Sequence, residues 1–391
     1  MKKYNYKKRT ICIFTSNRAD YGHLKNLIFK IHKSNHFILK LIVSGSHLSK
    51  KHGSSVKEIL NDKVPIASKI KLDINSDYNK KKIIKTLSKS LIKCDKAIDR
   101  INPDIILILG DRYEILPIAQ IALFRNIPLA HIHGGEVTSG VLDEQIRHAV
   151  TKLSDIHFVS HEIFKNNIIS LGENRKNIYV VGSPGCENLD RIKYLDKKSL
   201  EKKLNIGFFR KNLVATIHPQ MNKKDTLKLI KNLIDVLVKL KDTLIIFTGV
   251  NPDINSDLVF KNINRIKDNN NFKIFKNLGQ KLYLSLIRQV DGIIGNSSSG
   301  FIEAPFLKVP VVNIGNRQDG RPLADNIVNS DYKKKNILKA INKIYSKRFK
   351  KNIEKTESIY FKKNTSTKIL KVLLSKNLNN LKQKKFQNDK I

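Results

Sequence analysis

Short apolar runs alternate with amphipathic stretches along most of the chain. TICIF (Thr10–Phe14) precedes a helix-period pattern from Asp20 to His32, and FILKLIVSG precedes another from His47 to Leu60. The order recurs with PDIILILG (103–110) before YEILPIAQIALFR, IPLAHIHGG before LDEQIRHAVTKL, and DIHFVS before EIFKNNIIS; IYVVGSPG (178–185) closes the set. Strands that are apolar throughout, rather than at alternate positions, belong to parallel sheets covered on both faces, and the intervening helices supply the cover. The pattern breaks at CENLDRIKYLDKKSLEKKLNI, which is charged and poor in β-formers. It resumes with NLVATIHPQ, DTLIIFTGV, NFKIFKNLG, VDGIIGNSSSG and VPVVNIG. The prediction is an α/β protein of two doubly wound halves, residues 1–185 and 186–365, joined near 182–205. Residues 366–391 are expected to form a last helix and a basic tail, NLNNLKQKKFQNDKI, that frays.

Composition changes the picture little. The chain carries 74 Lys and Arg against 34 Asp and Glu, a formal charge of +40. Lysine is scattered over helix faces, loops and both ends, together with abundant Asn and Ile, as a coding bias would leave it. No zinc-finger spacing, RNP-like aromatic run or single basic helix accompanies it, so nonspecific adhesion to polyanions is expected and a specific nucleic-acid function is not. Cys12, Cys94 and Cys186 form no CxxC pair, which argues against a disulfide framework or a structural zinc and for a reducing compartment. The basic start has only ICIF as an apolar core, so it reads as a first strand and not a signal peptide. No stretch approaches the roughly 20 apolar residues of a membrane span. A cytoplasmic protein without a membrane partner is expected.

In parallel sheets ligands bind beyond the carboxyl ends of the strands. That rule selects TSNRADYG, SGSHLS, GDRYE, HIHGGE, TIHPQ, TGVN, NSSSG and NIGNRQDGR. In GNSSSG (Gly295–Gly300) three hydroxyls lie between a strand and a helix start, which is a seat for an anion or an ordinary capped serine turn. TSNRADYG has no Gly-rich nucleotide fingerprint; Arg18 is placed to reach a phosphate, and Asp20 reads as the helix N-cap. Asp111 ends a strand beside Arg112, an adjacent cation that would neutralise it. His131, His133 and Glu136 surround two glycines, with Asp143 and Glu144 opening the next helix; such a cluster suits proton transfer. A metal site is the competing idea, since His131 and His133, two apart on a strand, would point the same way, but a third ligand is wanting. His218 follows a strand of the second half, where a structural and a ligand-facing role weigh equally.

Assembled in order, TSNRADYGHL, GDRYEILPIA, PLAHIHGGEVTSGVLDEQIRHAVTKLSDIHFVS, VVGSPG, HPQ and GNSSSGFIEAPFLKVPVVNIGNRQDGR resemble the hydrolysing UDP-N-acetylglucosamine 2-epimerases of bacterial sialic-acid and legionaminic-acid biosynthesis, over about residues 9 to 330. The resemblance implies a GT-B-like fold, two Rossmann-like domains facing a cleft, with a last helix crossing back to the first. It implies that Ser297, Ser298, Ser299 and Gly300 hold the diphosphate of a UDP-sugar, that Glu303 binds the ribose, that Arg18 meets the phosphates and that the loop around Gly279 holds the uracil. The implied reaction loses the C2 proton and UDP to give a glycal, then adds water at C1 and a proton at C2 from the opposite face. UDP-N-acetylglucosamine would become N-acetylmannosamine and UDP. Asp111, Glu136, Asp143 and Glu144 would flank the ring, and His218 would assist the sugar or diphosphate. The family glutamate at the third position of HIH is here His133, so either His133 or Glu136 takes its part; HPQ replaces the usual HPV, leaving Gln220 to touch the sugar. No metal or other cofactor is implied, and a homodimer or tetramer is. The alternatives are the same reaction on UDP-N,N'-diacetylbacillosamine, or a GT-B glycosyltransferase that turns over only with an acceptor.

Overall fold

The computed structural model describes residues 8–49, 54–72, 80–139, 141–220, 222–249, 255–276, 278–381 and 384–387. Two parallel sheets organise them. The first contains β1 (Arg9–Thr15), β2 (Phe37–Ser44), β3 (Ile66–Ile70), β4 (Ile105–Leu109), β5 (Leu129–Ile132), β6 (Ile156–Val159) and β7 (Ile178–Val180), in the order β3-β2-β1-β4-β5-β6-β7. The second contains β8 (Lys211–Thr216), β9 (Thr243–Thr248), β10 (Phe272–Phe275), β11 (Gly292–Gly295), β12 (Val311–Ile314) and β13 (Ile327–Ser330), in the order β10-β9-β8-β11-β12-β13. Strand order reverses between β1 and β4 in one sheet and between β8 and β11 in the other. Loops leave such a switch point in opposite directions and open a crevice. The four loops that leave these strands are TSNRADYG, GDRYE, TIHPQ and NSSSG.

Burial follows from the all-apolar strands. Ile11 and Ile13 of β1 face one layer with Leu24, Leu27 and Ile28, while Cys12 and Phe14 face the other with Ile98 and Ile118. The helix Thr365–Ser375 returns from the second sheet and adds Ile369 and Leu373 to the first of these layers. A further cluster joins the domains: Phe164 and Ile168 of the first pack with Phe301, Ile302 and Tyr360.

Three expectations are corrected. The pattern from His47 to Leu60 yields a 3-10 turn, Gly45–Leu48, and a helix only over Val56–Asn61, with 50–53 outside the described residues. The strands β3 and β13 escaped the apolar-run reading because they are edge strands and carry the exposed Lys69 and Asn329. The helix Lys80–Ile101, whose Cys94, Ala97 and Ile98 are core, was passed over among its many lysines. Of the tail expected to fray, residues 378–381 form a 3-10 turn and 384–387 lie against the first domain, while 382–383 and 388–391 are outside the described residues. Lys384 pairs with Glu173 at 2.8 Å and donates to the Ser154 carbonyl at 2.6 Å, and the Gln387 N–H bonds the Gly172 carbonyl at 3.0 Å. Among the described residues no helix is long and apolar enough to cross a membrane.

Candidate active site

The loops of the two switch points face each other across a cleft with two lobes. The first, about 160 Å³, is lined by Asp111, His133, Glu136, Asp143 and Arg147 from the first domain and by Arg317 and Arg321 from the second. The hub of this acid lobe is Arg147, 1% exposed, on the helix Leu142–Leu153. Its Nη1 donates to the Glu136 carbonyl at 2.8 Å and to Glu144 Oε2 at 2.7 Å. Its Nη2 donates to Thr138 Oγ1 at 2.9 Å and to Asp111 Oδ2. Glu136 accepts from His133 Nδ1 at 2.6 Å and from Ser160 Oγ at 3.1 Å, and pairs with Arg321 Nη2 of the second domain at 2.8 Å. With its proton on Nδ1, His133 accepts at Nε2 from the Ser183 hydroxyl, 3.2 Å away.

The electrostatics follow from these pairs. Burial would raise Glu136, but Arg321 and His133 outweigh it and hold the carboxylate well below its ordinary range. Burial likewise opposes ionisation of Asp111, and Arg147 overcomes it. A buried arginine survives in this place because three carboxylates surround it.

The second lobe, about 220 Å³, runs from Arg18, Gly22 and His23 to Thr216, Gly279, Tyr283, the serines 297 to 299 and Glu303. Gly295, at φ 139°, brings the serine loop against β8; a Cβ there would lie 1.9 Å from the Thr216 carbonyl oxygen. Here polar atoms are left open. Arg18 Nη1 and Glu303 Oε2 are buried and make no hydrogen bond within the protein. Burial lifts the Glu303 carboxyl to about 7 despite the Ser299 hydroxyl beside it. Burial lowers the Arg18 guanidinium from its ordinary value.

Residues 29–374 match the UDP-N-acetylglucosamine 2-epimerase family. The chain belongs to it. It is 38% identical to the GDP/UDP-N,N'-diacetylbacillosamine 2-epimerase (hydrolyzing) of Campylobacter jejuni, over 97% of this chain and 99% of that protein. It is 31% identical to the UDP-N-acetylglucosamine 2-epimerase of Neisseria meningitidis serogroup B, over 85% and 86% of the two chains. Its fold is that of the crystal structure of UDP-GlcNAc 2-epimerase from Neisseria meningitidis bound to UDP-GlcNAc, with a TM-score of 0.81 at 18% identity over 94% of this chain and 100% of that one. This is the two-domain GT-B-like architecture expected from the motifs.

In this epimerase-family enzyme most of the expected site residues line one cleft. Asp111, His133, Glu136 and Asp143 border the acid lobe, and Arg18, Ser297, Ser299 and Glu303 the other; Ser298 and His218 border both. Glu144 lies behind this wall, its carboxylate taken by Arg147, the Thr138 N–H and His148. Gly300 does not reach the cleft surface: a Cβ there would meet Val311 Cγ1 at 2.8 Å, so it is a packing glycine. The helix after the serines is a single turn, Ser299–Ile302, and not a long dipole.

Several local assignments change. Asn17, not Asp20, is the N-cap; it accepts from the Asp20 N–H, while the Asp20 carboxylate takes the hydroxyl of the preceding Ser16 at 2.9 Å. Arg147 rather than Arg112 balances Asp111, because Arg112 pairs with Glu114. His131 and His133 do not point the same way: β5 ends at Ile132, and His133 takes φ 67°. His131 is buried between the Gly110 carbonyl (2.6 Å) and Thr151 (3.2 Å). Gln220 is also turned away, donating to Tyr332 at 2.7 Å. Among the described residues no group of three His, Cys, Asp or Glu side chains has metal-binding geometry.

Arg147, Arg321, His23 and Tyr283 were not singled out from the sequence. Arg147 had a signal, standing three and four residues after Glu144 and Asp143 on one helix face. Arg321 lay in the selected NIGNRQDGR loop, but nothing local pairs it with Glu136 across 185 residues of chain.

Proposed function

We propose that this enzyme hydrolyses a UDP-activated 2-acetamido sugar with inversion at C2, through a glycal, and that its substrate is UDP-N,N'-diacetylbacillosamine. The observation that carries the reaction is the junction of the two lobes: a paired acid cluster opens directly into a crevice where Arg18 Nη1 and Glu303 Oε2 are buried and make no hydrogen bond within the protein. A diphosphate supplies the missing acceptor for Arg18, and ribose hydroxyls the missing donor for Glu303. The serines 297 to 299 offer hydroxyls and N–H groups to the same diphosphate.

With the leaving group so held, departure of UDP runs ahead of C2 deprotonation and leaves positive charge on the anomeric carbon and ring oxygen. Carboxylates facing the ring stabilise that charge without reorganisation. Asp111, with its side chain 28% exposed, presents an edge to the lobe, and Asp143 borders it; these two serve the C2 proton. Glu136 is 3% exposed and fixes His133 and Arg321, so the share of the family glutamate is divided between an orienting carboxylate and the imidazole it orients. The 38% identical relative, matched over 97% of this chain, is named for the diacetylbacillosamine substrate, which favours the 4-acetamido sugar over UDP-N-acetylglucosamine.

The test incubates the protein with each of the two sugar nucleotides and follows products by NMR. Free UDP and a manno-configured sugar from the diacetylated substrate, without an acceptor, are expected. Preference for UDP-N-acetylglucosamine would overturn the sugar assignment, and turnover only with an added acceptor would replace the epimerase by a glycosyltransferase.

A further inference from the structure

We propose that His23 is a further catalytic residue of this enzyme, the base that receives a proton from the water adding to the anomeric carbon of the glycal. The inference rests on the 2-epimerase reading above. The anomeric carbon joins sugar to diphosphate, so it belongs where the acid lobe meets the phosphate lobe. Among the described residues four line both lobes: Ala19, His23, His218 and Ser298. Ala19 has no group that moves a proton, and Ser298 belongs to the serine loop.

The two histidines stand on opposite walls. His218 follows β8 in the second domain, and its N–H bonds Asn296 beside the serine loop at 2.7 Å. That is the side of the departing diphosphate. His23 belongs to the helix Arg18–His32 of the first domain, with its ring 6.0 Å from that of His133. That is the side of the sugar acids. The ring has a defined seat. Its Nδ1 lies against Gly185, where a Cβ would come within 1.8 Å, and makes no hydrogen bond in the protein. Any side chain at 185 would displace it. Because Nδ1 is enclosed and the residue lines both lobes, the accepting role falls to Nε2, with the neutral ring's proton on Nδ1. Burial, helped by His133, lowers the imidazole to about 4, so it enters the cycle neutral.

In the addition step the water oxygen bonds to C1. The C1–C2 π pair takes a proton at C2 from an acid on the opposite face. One water proton moves to His23 Nε2 and from there to solvent, while the other stays on the new hydroxyl. The elimination that precedes this step makes no use of His23.

The experiment compares wild type, His23→Gln and His23→Ala on the sugar nucleotide, recording UDP, free 2-epimer and glycal by NMR. Each variant is first shown to melt and to bind UDP as wild type does. UDP release within about threefold of wild type, with glycal accumulating and 2-epimer formation down about 10²–10³-fold, is expected. Glycal supplied with UDP should be hydrated by wild type and not by the variants. Equal yields of UDP and 2-epimer from His23→Gln would overturn the proposal, and so would parallel loss of both. Should His23→Ala not fold, His23→Gln, closer in size, carries the same readout. Absence of UDP release by wild type from either sugar nucleotide would instead sink the 2-epimerase reading and this proposal with it.

Discussion

The two lobes of the cleft are built on opposite principles. In the acid lobe Asp111, Glu136 and Glu144 meet Arg147 or Arg321 before any ligand arrives. In the phosphate lobe Arg18 Nη1 and Glu303 Oε2 stay buried without a partner. Charge that must act in a transition state is worth fixing in advance, because nothing then reorganises during the reaction. Charge that must bind is worth leaving unmatched, because the ligand then gains what the protein forgoes. Breaking a pair in the first lobe therefore costs the fold, whereas the second lobe subtracts from stability until it is filled.

Substitutions break or sharpen that contrast. The largest effect on folding is expected for Arg147→Met, which strands Asp111 and Glu144 near the core; a loss of about 3–5 kcal/mol, read by urea unfolding, should follow. Asp111→Asn keeps a hydrogen-bonding side chain opposite Arg147. It should abolish UDP release, to roughly 10³-fold below wild type, with the fold intact; near-normal turnover would remove Asp111 from the chemistry.

Arg18→Ala should do the reverse of Arg147→Met. UDP affinity should fall by about 10–100-fold in calorimetry, the loss of a charged hydrogen bond, while the ligand-free protein unfolds within about 0.5 kcal/mol of wild type. A large loss of ligand-free stability would show Arg18 to be paired after all.

The smallest effect is one of pH. In the unfolded chain Glu303 ionises near 4.5, whereas the folded protein retains its proton until about 7. Between those values the folded state binds more protons, so this group's contribution to stability declines as pH rises. Glu303→Gln should remove that decline, gaining several degrees on wild type in melts at pH 7 and little at pH 4.5. Identical pH profiles for the two proteins would contradict the shift.

The loops that border the cleft were legible among eight candidates because central strands are apolar at every position: β4, IILIL, is buried throughout, and the polar residues that follow it stand out, whereas the strand order that singles out the switch points was not. The serine loop and Arg18 were legible for the same reason. What escaped was decided by partners far away in sequence. Asp111 looked neutralised by its neighbour Arg112, but backbone direction sends Arg112 to Glu114 and brings Arg147 from 36 residues downstream. His131 and His133 looked like a strand pair until the chain turned through a positive φ at His133. Gln220 sat in the right loop and faces the wrong way, held by Tyr332. Loop membership is a one-dimensional property, while side-chain direction depends on a few dihedral angles that local composition does not constrain.

The chain passes between the domains twice, and the two passages lie side by side. The Ser183 N–H bonds the Tyr360 carbonyl at 2.8 Å, and Thr365 Oγ1 bonds the Val181 carbonyl at 2.8 Å. Two crossings tied side by side constrain the relative placement of the domains more than one alone would, since each limits the conformations open to the other. At the other end of the interface the Arg321–Glu136 pair adds a third tie, across the mouth of the crevice itself.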